Sequence, residues 1–193
     1  MIRMSLIKKL ENLTENNFMN TFLFCLIIYV LINLIVTLIG YAVDGLINYL
    51  LANFYVIIYG LFAPTATPPS FAIIIPLAIP TMGSLTAGIV IMSIGYMISP
   101  LITALIAGRN GESKYISFGA WFLLSLLSSI ISLFFYFSPM PPYSPMLIFF
   151  LLVQFATGAK PSDINTMFLF FTILGGIING MFYGSIAMLA NKS

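Results

Sequence analysis

The sequence predicts an all-α, polytopic membrane bundle of about four transmembrane helices plus two short re-entrant or interfacial segments. Three observations carry this. Hydrophobic residues make up 61% of the chain and charged ones 6%, against about 45–50% and about 25% in a soluble domain. Four long stretches carry no charge in their interiors, and the prolines concentrate in two clusters between them. A helix needs ~20 apolar residues to cross ~30 Å of hydrocarbon, so the 193 residues make one membrane domain, 1–193.

Residues 1–16 read as a cytoplasmic interfacial helix. Ile2, Leu6, Leu10 and Leu13 recur at helical spacing, and the charges fall largely elsewhere. The apolar run that follows is too long, and too free of a small-residue cleavage pattern, for a signal peptide. Residues 18–42 form the first span, and Asp44–Gly45 interrupt it. The stretch 46–62 is apolar but rich in Asn and Tyr, a composition suited to the membrane interface rather than the bilayer centre. Prolines 64, 68, 69, 76 and 80 then rule out one continuous helix. Unpaired backbone is not tolerated against lipid, so this stretch sits in the interface, packs on protein or lines a cavity.

The second span is 84–108, with a kink expected at Pro100, and the third is 115–137; the hydrophilic turn RNGESK joins them. A second proline cluster follows. The apolar run 146–157 is too short to cross and reads as re-entrant or interfacial. The last span is 164–190. With four spans, Arg3, Lys8, Lys9, Arg109, Lys114 and Lys192 share one side and only Lys160 falls opposite. The positive-inside rule then puts both termini in the cytoplasm of a multi-pass cell-membrane protein. The returning spans end alike, ALIAGR at 104–109 and AMLANK at 187–192. That likeness is read either as a trace of internal duplication or as chance in so biased a composition.

The chain has no histidine, the commonest general base and metal ligand. Glu11, Glu15 and Glu112 read as surface charges, and Asp44 and Asp163 map to external span ends beside Lys160. A charge at the bilayer centre costs roughly 2.5–3.5 kcal/mol on insertion scales, and none is placed there. A Ser-His site is excluded and no phosphate-binding loop occurs. The reading is therefore not an enzyme, with no catalytic residues, no cofactor and no metal. The seven basic residues are scattered, so nucleic acid is not a partner. The expected partners are membrane lipid and other membrane proteins or a second copy.

Other positions invite a role. Gly176, Gly180 and Gly184 form a GxxxGxxxG face for helix packing. Ser125, Ser128, Ser129 and Ser132 line one side of the third span, either as a packing face for those glycines or as the lining of a polar pathway with Asn33 and Asn179. Asp44 and Lys160 make a candidate external ion pair, or two separate charges at headgroup level. Trp121 and Tyr115 read as interface anchors, and the sequons at Asn12 and Asn191 as accidental. The first functional reading is a non-catalytic subunit, assembly factor or scaffold acting through helix packing. The alternative is a small transporter or channel for a neutral or lipid-like solute.

Overall fold

The computed structural model of the chain describes residues 2–66, 86–136 and 161–192. Most prolines of the first cluster, the whole of the second, and the apolar run 146–157 lie outside the described residues. Among the described residues there are helices and turns and no strand. The helices are α1 (Ile2–Val43), α2 (Ile47–Ala52), α3 (Phe54–Ala66), α4 (Ala87–Asn110), α5 (Lys114–Tyr136) and α6 (Pro161–Ala190). Four segments are long and apolar enough to cross a membrane: Asn17–Val43, Ala87–Asn110, Lys114–Phe134 and Thr172–Ala190.

Residues 2–16, expected as a separate helix on the membrane, are continuous with the first span in one helix of 42 residues. No glycine or proline precedes Gly40, so nothing in that stretch ends the helix. It stops at Gly45, whose φ of 70° is the left-handed conformation that glycine adopts without strain. The Gly45 N–H bonds Ala42 O at 3.0 Å and the Leu46 N–H bonds Tyr41 O at 2.8 Å, the paired bonds of a Schellman cap.

That cap fixes Asp44 at the last turn of α1, where it serves the next span. Its Oδ2 accepts from the Thr86 hydroxyl at 2.6 Å and its Oδ1 from the Gly88 N–H at 2.9 Å. Thr86 Oγ1 in turn accepts from the Ile89 N–H at 3.3 Å. The carboxylate thus satisfies one orphan donor at the start of α4 and holds the Thr86 hydroxyl that takes a second, at the end of the helix dipole that favours negative charge. Lys160, its expected ion partner, lies outside the described residues, as does the Asp163 side chain. Asp44→Ala is expected to lower stability by about 0.5–2 kcal/mol. Asp44→Asn, which keeps one acceptor oxygen, should lose less, and thermal midpoints in detergent would check both.

The spans pack through small residues, α1 antiparallel to α4 and α4 parallel to α6. A Cβ added to Gly88 would overlap the Gly40 carbonyl, and one added to Gly108 would overlap Ala187 O. The two similar span endings noted in the sequence therefore pack on each other. Pro100 lies inside α4 without ending it. The last glycines face α5: Gly176 meets Ser129, Gly180 the ring of Phe122 and Gly184 the ring of Phe118. Outward, α1 shows Met19, Leu23, Ile27, Leu31, Ile35, Ile39 and Val43, one large apolar residue every fourth position. Inward it turns Cys25, Tyr29, Asn33 and Thr37. Polar inside and apolar outside reverses the order of a soluble helix and suits lipid as the solvent.

The ends of the bundle are distinguishable. The near end gathers Asn17, whose amide donates to Glu112, and Asn191, whose amide donates to Gly108 O at 2.9 Å and Ser117 Oγ at 3.1 Å. Asn191 is buried, so the sequon there is occupied by a structural role. The far end holds the Asp44–Thr86 contact.

Candidate functional site at the buried half-helix

The feature that breaks the simple four-helix pattern is α3. Its 13 residues extend about 20 Å at ~1.5 Å per residue, short of the ~30 Å hydrocarbon core. It runs antiparallel to α1: Gly60 lies against Thr37, Leu61 against Asn33 and Thr65 against Tyr29. The chain thus leaves α1 at the far end, descends through α3 to mid-bundle, and is back at the far end by Thr86, beside Asp44. The stretch 46–62, read as interfacial, takes this form in its second part, with Val56 and Gly60 buried among the spans.

Two mid-span amides bond its backbone. The Asn33 amide donates to Leu61 O at 2.8 Å, and the Asn179 amide to Thr65 O at 2.9 Å. Pro64, inside the helix, offers no N–H to the Gly60 carbonyl four residues before it. The Tyr29 and Thr65 hydroxyls share a bond at 3.1 Å, and those of Thr37 and Tyr96 one at 2.7 Å. These two mid-span amides, one from the first span and one from the last, hold the tip of α3 from both sides.

Around that tip lie the serines of α5. Ser125 Oγ donates to Gly176 O at 2.9 Å, joining the serine and glycine faces. Ser128, Ser129 and Ser132 are also buried, and their hydroxyls find no partner among the described residues; neither does Asn33 Oδ1. Thr103 Oγ1 donates to its own helix, to Ser99 O at 2.9 Å. The structure therefore brings Asn33, Asn179 and Ser125 together with α3 and the glycine face, and three hydroxyls of the same stripe have no partner among the described residues. A buried hydroxyl without a partner costs roughly 1–3 kcal/mol, so the stripe gains from any neutral donor or acceptor that reaches it.

Toward the near end this polar region is closed by aromatic rings. Trp121 is completely buried, with Tyr29 and Tyr183 both edge-on to it at centroid distances of 5.9 Å. This corrects its reading as an interface anchor: Trp121 faces Phe22, Cys25 and Tyr183 in the core, whereas Tyr115 is exposed. The residues that sequence reasoning passed over are Tyr29, Thr37, Thr65 and Tyr96. A signal for the first two existed, since Tyr29, Asn33 and Thr37 recur every fourth position in an otherwise aliphatic stretch.

The chemistry on offer is neutral: hydroxyls, side-chain amides and main-chain carbonyls, with no carboxylate and no basic side chain among the described residues of the tip. Compared with protein-family models, with curated proteins and with solved structures, the chain matches none.

Proposed function

We propose that this multi-pass membrane protein is a non-enzymatic carrier or channel for a small uncharged polar solute, which passes along the serine stripe and the tip of α3. The observation that carries the reading is α3 held at mid-depth by Asn33, Asn179 and Tyr29, beside serine hydroxyls that find no partner among the described residues. Discontinuous helices that stop near the bilayer midplane are how transporters expose backbone groups to a substrate. In this reading the Tyr29–Trp121–Tyr183 cluster is the closed gate on the near side. The near side is the cytoplasmic face of the cell membrane, supported by Arg109, Lys114 and Lys192 at that end.

The reading as a subunit, assembly factor or scaffold takes second place. It rested on the small-residue helix faces and the lack of a charge at the bilayer centre, and Gly176, Gly180 and Gly184 spend their face on α5 of the same chain. Extraction in a mild detergent separates the two. A partner recovered in fixed ratio favours the subunit; a lone chain or homo-oligomer favours transport.

The direct test uses Ser128→Cys and Ser132→Cys in a Cys25→Ser background, which removes the chain's one native thiol. Both cysteines are expected to react with a membrane-impermeant thiol reagent in proteoliposomes. Modification should cut solute-driven vesicle swelling, measured with glycerol and urea, several-fold. Protection at both positions, with swelling equal to that of empty liposomes, would sink the proposal.

A further inference from the structure

At the near end, away from the half-helix, a cavity of about 440 Å³ is lined by Asn17, Asn20, Thr21, Phe24, Asn110 and Glu112. Its depth in the membrane follows from the spans. Asn17 immediately precedes the uncharged run 18–42 and Asn110 ends the second span, so the cavity opens at the level where hydrocarbon gives way to headgroups. Its polar walls are three amides, a hydroxyl and one carboxylate. Thr21 Oγ1 donates to Asn17 O at 2.9 Å and is spent locally. Asn20, Asn110 and Glu112 are exposed, and Glu112 takes up one bond, from the Asn17 amide. A carboxylate has about four acceptor positions and each amide oxygen two, so the cavity has acceptors to spare around a single negative charge. Phe24, 44% exposed, lies two turns deeper on α1, in line with the lipid-facing Leu23 and Ile27.

We propose that this cavity holds the headgroup of a phospholipid bearing a primary amine. An ammonium with three N–H donors can bond Glu112 and the amide oxygens together, by the charge-assisted bonds that carboxylates make best. A trimethylammonium has no N–H to offer, and an anionic headgroup meets the carboxylate's repulsion. Arg109 in the last turn of α4 and Lys114 at the start of α5, both exposed, supply positive charge for the lipid phosphate. The apolar surface of Phe24 continues below for an acyl chain, which a soluble amine would not use.

The experiment is native mass spectrometry of the full chain, released from nanodiscs containing phosphatidylethanolamine, phosphatidylcholine or phosphatidylglycerol, for wild type, Glu112→Gln and Phe24→Ala. The expected result is a retained phosphatidylethanolamine adduct, weakened about tenfold by Glu112→Gln, as loss of a charge-assisted bond implies, with phosphatidylcholine unaffected and phosphatidylglycerol retained more strongly once the carboxylate is gone. Glu112→Gln preserves side-chain shape, and its unchanged thermal midpoint without lipid would show that folding is not the cause. Equal retention of phosphatidylethanolamine and phosphatidylcholine overturns the proposal. So does displacement by soluble phosphoethanolamine at the lipid's own concentration, which would assign the cavity to a free amine. Solute flux is read at the other site, so a null result there leaves this test intact.

Discussion

Replacing Asn33 and Asn179 together by leucine is expected to release the tip of α3 while leaving the four spans assembled. Asn33→Leu removes the side-chain donor to Leu61 O, and Asn179→Leu the one to Thr65 O. Interhelical bonds of this kind average only about 0.6 kcal/mol when measured by cycles. A buried acceptor left with no donor costs more, roughly 1–3 kcal/mol. Because both amides hold one short helix, the two losses should not add: the first substitution loosens α3, and the second removes what remains. Hydrogen exchange in micelles is the measurement. The amides of 60–66 should exchange at least tenfold faster in the double variant, with the protection of α1 and α6 kept. Unchanged protection over 60–66 would mean that apolar packing alone seats the half-helix.

The most damaging single substitution should be Gly108→Val. An added Cβ there overlaps the Ala187 carbonyl oxygen and comes within 2.7 Å of Ala190 Cβ. Neither is the yielding end of a long side chain. The backbone at 108 is further pinned by Asn191, which donates to Gly108 O. Overpacking costs about 1–3 kcal/mol by itself, and displacing α6 from α4 would also break the Asn191 bonds. The thermal midpoint and the yield of monodisperse protein should both fall sharply. Gly119→Ala is the control. Its new Cβ would sit 3.1 Å from the edge of the Phe18 ring, a side chain that can turn away, so its effect should stay within about 0.5 kcal/mol. Equal midpoints for the two variants would show that α4 and α6 do not meet at Gly108.

The four spans were readable because the cost of polar groups in hydrocarbon is written directly into composition, as uninterrupted apolar runs. The break at Asp44–Gly45 was equally plain, since glycine is the residue that closes a helix in the left-handed conformation. Asn33 and Asn179 stood out as mid-span amides in need of partners. Their partners, however, are main-chain carbonyls, and a carbonyl has no signature in a sequence. The same holds for Asp44, which serves Thr86 and the Gly88 N–H. Trp121 misled because a tryptophan near a span end usually sits at the interface. Which way a helix turns its faces depends on its neighbours, and Tyr29 and Tyr183 draw the ring inward. The near-end cavity was illegible for a related reason: Asn17, Asn20 and Asn110 come from two spans that only folding brings to one spot.

The two amides on α3 differ in when they can act. Asn33 precedes Leu61 by 28 residues, so its bond can form as soon as the first hairpin has entered the membrane. Asn179 follows Thr65 by 114 residues and reaches it only after the last span has left the ribosome. Through most of synthesis the half-helix therefore has one latch, with the Thr65 carbonyl still waiting for its donor. Closure of the second latch marks the end of assembly. A chain truncated before 179 should keep its early spans in the membrane yet present a loose α3, the kind of exposed backbone that membrane quality control can recognise.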